Sequence, residues 1–252
     1  MEMSIEDYRE AILCYLCRTG AGRLSIRAGL FDMDGVLFDS MPAHAGAWER
    51  VMRSHGIPFT LRDGYLNEGR VGSATIRGAS LSRCGRDVST EEIRCIYAEK
   101  SRAFNTFPPA VPMPGAAELL RQIAADGLFA VLVTGSGQRS LLGKLQAAYP
   151  GVFHPERMVT AFDVRHGKPS PEPYLIGLQK GGVEAHEAFI VENAPLGVAA
   201  GYAAGVFTIA VNTGPIPPET LHKAGADLVF PSMQALASAW PALLKTFRTV
   251  HT

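Results

Sequence analysis

The chain of 252 residues lacks an excess of either charge sign, with 24 Lys and Arg against 24 Asp and Glu. Nucleic-acid binding needs a basic patch or stripe, and no basic excess or long charge run is present. No apolar run approaches the roughly 20 residues that span a bilayer. The acidic start (Glu6, Asp7, Glu10) is unlike the basic start of a signal peptide. Cysteine is scarce as well: four residues make no disulfide framework in a chain of this length. Cys14 and Cys17 form a Cys-x-x-Cys, but with no second pair and no nearby His, packed thiols are expected rather than zinc. The expectation is a soluble cytoplasmic protein with reduced thiols, a monomer or weak dimer, with neither nucleic acid nor membrane as partner. What is present suffices for a core: 47% of residues are hydrophobic and only 19% charged.

The most informative stretch is Leu30-Phe31-Asp32-Met33-Asp34-Gly35-Val36. The apolar run from Ile26 to Phe31 reads as a buried strand, and Gly35 lets the chain turn away from it. Residues i and i+2 of a strand point to one side, so Asp32 and Asp34 can reach one point beyond its C-terminal end. Open α/β sheets hold their ligands at that edge. One carboxylate there suits a nucleophile and the other a proton donor and acceptor, with a divalent cation to offset repulsion. A solvated turn would read the same from four residues alone.

Residues 4–19 show an amphipathic helix with Ile5, Tyr8, Ile12, Tyr15 and Leu16 on one face, Ser4 as N-cap and Gly20 and Gly22 at its end. From Phe38 to Thr106 the pattern is helical, with one stripe at Ala45, Trp48, Val51 and Met52 and another at Ile93, Ile96, Tyr97 and Phe104. Between them lies the turn Glu68-Gly69-Arg70-Val71-Gly72. Pro108, Pro109, Pro112 and Pro114 form a stiff return, so a helical insert is expected over 38–111. Helices and nearly all-apolar strands then alternate, with strands at 129–133, 158–161, 188–191, 206–211 and 228–230. This predicts an α/β fold: a Rossmann-like parallel sheet covered on both faces, with core residues 1–37 and 112–252.

Three more strand ends carry chemistry. Thr134-Gly135-Ser136-Gly137 offers a hydroxyl and backbone N–H groups to a phosphate oxygen, and lacks the third glycine of a dinucleotide turn. Gly167-Lys168-Pro169-x-Pro171 places a cation on a stiff loop. Glu192-Asn193-Ala194-Pro195 ends a strand with a carboxylate and an amide, or serves only as a helix start.

In this order the four pieces resemble the haloacid dehalogenase (HAD) superfamily, in particular the β-phosphoglucomutase-like branch with a helical cap inserted after the first strand. The resemblance covers roughly residues 26–247. It implies Asp32 as the nucleophile that forms an aspartyl-phosphate and Asp34 as general acid and base. It also implies Thr134, with Gly135 and Ser136, on the phosphoryl oxygens, and Lys168 neutralising charge. Mg²⁺ would be held by Asp32, the Asp34 carbonyl and Asn193, with Glu192 behind them. Most of this branch has Asp where Asn193 stands, which makes the site one charge less negative. The distal-phosphate clamp of the mutases falls on Gly72 and Gly137, so that clamp is absent. His44 matches a His in the mutases' cap linker.

Within the branch the chain is similar to bacterial members that hydrolyse inorganic pyrophosphate, through Ser40-Met41-Pro42, Glu68-Gly69-Arg70, Glu99-Lys100-Ser101, Ala161-Phe162-Asp163-Val164 and Glu192 to Gly197. The cap would then present His44, Glu68, Arg70 and Lys100 to the leaving group. The leading expectation is Mg²⁺-dependent hydrolysis of pyrophosphate. The alternatives are a sugar-phosphate phosphatase or mutase, and a non-catalytic binding protein on the same scaffold.

Overall fold

The computed structural model describes residues 3–137 and 139–251. The chain begins with α1 (Ile5–Thr19) and β1 (Ala28–Phe31), then runs through α2 (Met41–Ser54), α3 (Leu61–Leu66), α4 (Gly72–Cys84) and α5 (Thr90–Phe104). It returns through α6 (Ala116–Ala125), β2 (Phe129–Val133), α7 (Arg139–Ala148), β3 (Met158–Val159), α8 (Glu172–Gly181) and β4 (Ala188–Glu192). It ends with α9 (Pro195–Ala203), β5 (Phe207–Val211), α10 (Pro218–Lys223), β6 (Leu228–Phe230) and α11 (Met233–Thr249).

The strands form one six-stranded sheet in the order β3-β2-β1-β4-β5-β6. Every pairing is parallel, as the apolar strands require. Alternation along each strand feeds two layers. Phe31, Phe189 and Phe207 face α1, α6 and α11, where they meet Trp240 and Phe247. Leu30, Val131, Val133 and Ile190 face α8 and α9 with Tyr174. The strand order reverses around β1, so the ends of β1, β2 and β4 border one crevice.

The 38–111 segment holds four helices rather than the two stripes read from sequence, because α3 and α4 are short or weakly amphipathic. Phe38 pairs with Pro112 where the chain leaves and re-enters the sheet layer. The strand expected over 158–161 ends at Val159, where Thr160 turns back under the Asp163 carboxylate. The helices α10 and α11 were not read from the sequence. Among the described residues no helix is long and apolar enough to cross a membrane.

Ser4 and Asp7 cap α1 reciprocally, and Gly20 closes it in the left-handed conformation. Tyr8, Ile12, Tyr15 and Leu16 are buried against α11 and the β5–β6 edge, where Tyr15 donates to the Gly205 carbonyl at 3.0 Å. Arg18 pairs with Asp227 at 3.2 Å. Two expectations are corrected here. Ile5 is 65% exposed, since it lies one turn beyond the end of the groove that takes Tyr8. All four cysteines are exposed, not packed, because Cys14 and Cys17 fall off the 8–12–15–16 stripe.

Ile12 is fully buried and α1 contributes nothing to the crevice. Ile12→Ala is expected to lower unfolding free energy in urea by about 2–5 kcal/mol, with kcat/KM unchanged at temperatures where the variant is folded. A fall in turnover of the folded variant would tie α1 to the site instead.

Candidate active site

β1 continues into the site: the Asp32 backbone N–H donates to Val191 at 3.1 Å, and Gly35 then turns the chain at φ 82°. Gly35 packs so tightly on Asn193 that a Cβ there would stand 2.0 Å from its side-chain nitrogen. The two loops at the ends of β1 and β4 are therefore interlocked.

Lys168 joins three strand ends. Its ammonium is 1% exposed and donates to Asp32 Oδ1 at 2.6 Å, Glu192 Oε1 at 2.5 Å and the Val133 carbonyl at 3.2 Å. Burial disfavours its charge, but the carboxylates of Asp32 and Glu192 outweigh that and hold its pKa above the ordinary lysine value. Glu192 is itself fully engaged. Oε1 also accepts from the Tyr174 hydroxyl at 2.7 Å, and Oε2 accepts from the N–H groups of Asn193 and Ala194 at 3.0 and 3.3 Å. Burial pushes the Asp32 carboxyl up to about 8; Lys168 opposes this, while Glu192 and Asp34 add to it.

Among the described residues of the site, three buried acceptor oxygens are left without a hydrogen bond: Asp32 Oδ2, Asn193 Oδ1 and Glu68 Oε1. The other oxygen of Glu68 accepts from Asn193 Nδ2 at 3.1 Å, which ties the α3–α4 turn to the end of β4. Burial, then the charges of Asp32, Asp34 and Glu192, raise Glu68 well above the usual carboxylate range. Unpaired hard oxygens beside mutually repelling carboxylates are a donor set that fits a divalent cation of the Mg²⁺ or Ca²⁺ kind.

Asp34 heads a second buried chain. Oδ1 accepts from the Ser40 hydroxyl at 2.5 Å and lies 3.3 Å from His44 Nε2, off the line of a hydrogen bond. His44 Nδ1 faces the Lys100 ammonium at 2.7 Å. Burial lowers Lys100 to about 8 against the pull of Asp34, and burial with the Lys100 charge lowers His44. Burial would raise Asp34, but His44, Ser40 and Lys100 outweigh it, and its pKa is lowered. A neutral His44 with its proton on Nε2 leaves Nδ1 free to accept from the Lys100 ammonium.

Thr134 is buried at the end of β2, and its hydroxyl accepts from the Ser136 N–H at 3.0 Å. The α3–α4 turn lies directly on this loop. A Cβ on Gly135 would stand 2.6 Å from the Gly69 carbonyl, and one on Gly69 2.7 Å from the Lys168 side chain. The result is a partly enclosed chamber of about 60 Å³. Asp34, His44, Glu68, Arg70, Lys100 and Ser136 line its polar walls, and Trp48 and Tyr97 its apolar wall. Arg70 has no side-chain ion pair among the described residues.

The sequence-predicted residues thus split into two connected sets. Asp32, Lys168, Glu192, Asn193 and Glu68 form one; Asp34, His44 and Lys100 form the other. Lys100 lines the chamber, and its nearest partner is His44. Glu68 also lines the chamber and reaches across it to Asn193. Ser40 and Tyr174 were missed as participants. Ser40 lies next to the Asp-x-Asp turn, but a lone serine carries no signal; Tyr174 reads as an ordinary core residue of α8.

Gly197 explains the length of the Glu-Asn-Ala-Pro-x-Gly motif. A Cβ there would stand 1.8 Å from Glu192 Oε1. Gly197→Ala is expected to displace Glu192 from Lys168 and lower kcat by at least tenfold without touching substrate. Equal kcat in the folded variant, by circular dichroism and steady-state rates, would show that Glu192 is not needed to seat Lys168.

The description "haloacid dehalogenase-like hydrolase" matches residues 26–205. The chain is 32% identical to "Hexitol phosphatase A" of Escherichia coli K12 over 82% of its own length and 91% of that protein's. It is 30% identical to "Phosphorylated carbohydrates phosphatase" of Thermotoga maritima over 72% of its length and 82% of that protein's. A solved structure described as "Putative beta-phosphoglucomutase from Bacteroides vulgatus" superposes with a TM-score of 0.94 at 48% identity, covering 98% of this chain and 100% of the other. Shared sequence across most of the chain, with the same parallel sheet beneath it, makes this protein a member of the haloacid dehalogenase-like hydrolase family.

Proposed function

We propose that the chain is a Mg²⁺-dependent phosphatase of small phosphate monoesters, sugar or polyol phosphates in particular. The observation that carries this reading is Asp32: one oxygen is held by Lys168, and the other is buried and unpaired beside a partly enclosed polar chamber. Asp32 attacks phosphorus and forms an aspartyl-phosphate as the leaving oxygen departs. Asp34 gives that oxygen its proton and then takes one from the water that hydrolyses the intermediate. His44 and Lys100 hold Asp34 in place and set its charge. Lys168 neutralises Asp32, and Thr134 with the N–H groups of Gly135 and Ser136 receives the phosphoryl oxygens. Asp32, the Asp34 carbonyl, Asn193 and Glu68 would hold Mg²⁺, which supplies charge neutralisation to the phosphoryl group. Residues 38–111 act as a cap that excludes water when Gly69 meets Gly135, over a core of 1–37 and 112–252.

The relatives reported above are named for hexitol phosphate and phosphorylated carbohydrates, which supports the monoester over the pyrophosphate expected from the sequence. Pyrophosphate is the second reading. Arg70 and Lys100 bring two cations to a chamber of about 60 Å³, which suits a second phosphate.

Asp32→Asn is expected to abolish turnover, because an amide does not attack phosphorus, and Asp34→Asn to lose about 10²–10⁴-fold. Activity of Asp32→Asn would rule out the covalent intermediate. Under Mg²⁺, kcat/KM for hexitol, hexose or glycerol phosphates should exceed that for pyrophosphate by at least tenfold. The reverse order would restore the pyrophosphatase reading. Asn193→Asp adds a full charge to the oxygen cluster, so calorimetry should show tighter Mg²⁺ binding. The same affinity in both forms would remove residue 193 from the cation's ligands.

A further inference from the structure

The chamber is small. Its 60 Å³ corresponds to roughly four to six water molecules, which a phosphate group nearly fills. Tyr97, Gly72 and Gly135 line the chamber, and the same three residues line a second, open groove of about 390 Å³ on the other side of the Tyr97 ring. The ring lies flat on Gly72, where a Cβ would stand 2.3 Å from it. The two spaces are neighbours across one aromatic wall.

The groove differs from the chamber in chemistry. Its lining is mostly apolar (Val71, Ile93, Tyr97, Ala161 and Phe162), with Ser73, Thr90 and Arg94 as its polar members. Phe162 is 70% exposed, the most exposed large apolar side chain in the described chain. It sits on a fixed turn. Asp163 accepts from the N–H and hydroxyl of Thr160, both at 2.8 Å, and pairs with Lys180 at 2.9 Å. The Phe162 N–H donates to the Thr160 hydroxyl at 3.3 Å. An aromatic ring kept in water by a built turn, in a groove that shares three lining residues with the polar chamber, is a binding surface rather than a packing residue.

We infer that this groove is an outer subsite that takes the apolar, distal end of the leaving group, so that the enzyme's substrates include phosphate monoesters carrying an extended apolar or aromatic portion. The inference rests on the phosphatase reading above. The phosphoryl end stays in the chamber, the ester oxygen faces Asp34, and the chain beyond it passes Tyr97 to lie between Phe162 and Ile93. Nothing in the chemical step changes; the groove adds binding to the leaving group alone.

The test uses the full-length protein with Mg²⁺ and three primary alkyl esters whose leaving oxygens are chemically alike: propyl, 3-phenylpropyl and 5-phenylpentyl phosphate. At least one phenyl ester should exceed propyl phosphate in kcat/KM by about tenfold, the effect of partly burying one ring. Phe162→Ala should erase that advantage; the side chain is exposed, so its removal opens no cavity in the core. Equal kcat/KM for all three esters overturns the subsite and leaves the phosphatase reading standing. So does a phenyl preference that survives Phe162→Ala, or a variant that slows all three esters alike. No turnover of the three esters while a hexitol phosphate is hydrolysed in the same assay overturns the subsite alone; no turnover of either kind overturns the phosphatase reading and the subsite with it.

Discussion

A buried ammonium with three acceptors decides the geometry of this molecule. Lys168 has almost no contact with water, so its charge is tolerable only while Asp32, Glu192 and the Val133 carbonyl surround it. Removing the ammonium would leave two buried carboxylates without a cation, and an uncompensated buried charge costs about 3–5 kcal/mol. The ends of β1, β2 and β4 are thereby fixed to one point. Glu192 is in turn fixed by Tyr174, by two backbone N–H groups and by the absence of a side chain at Gly197. The same contact leaves Asp32 with one oxygen engaged and one available, the asymmetry a nucleophilic carboxylate needs.

The two carboxylates of the Asp-x-Asp turn differ because their neighbours differ. Asp32 lies with two further acids and one lysine, and burial raises it. Asp34 lies with a serine hydroxyl, a histidine and a second lysine, and is lowered despite the same burial. The oxygens left unpaired around Asp32 invite a cation; those around Asp34 are served by protein groups. Acids two residues apart thus keep different company: one faces unpaired oxygens, the other protein donors.

Much of this could be read from the sequence, because the signals are local. Apolar strands at 129–133 and 228–230 match residue for residue, and the four chemical motifs fall at strand ends since a parallel sheet puts them there. The misses have physical causes. Helix α4 buries only Thr75, Ile76 and Ser80, too thin a stripe to announce itself. Cys14 and Cys17 were expected inside on composition, but helical phase turned them outward. Ser40 and Tyr174 act through partners 6 and 18 positions away, which no spacing rule reports. The similarity to pyrophosphate-hydrolysing proteins rested on short motifs shared by enzymes of several substrates, and the sugar-phosphate relatives shift the balance.

The meeting of Gly69 with Gly135 has a bearing on how such a protein can change. There backbone touches backbone, so the seal over the chamber involves no side chain that could be exchanged. The side chains that line the chamber and the groove include Trp48 on α2, Arg70 beside the Gly69–Gly135 contact, Tyr97 on α5 and Phe162 on the turn after β3. Closure and selectivity are thus written in separate parts of the chain. Substitution can alter what is recognised while the barrier to water stays as it was, which leaves one scaffold free to drift among many phosphate esters.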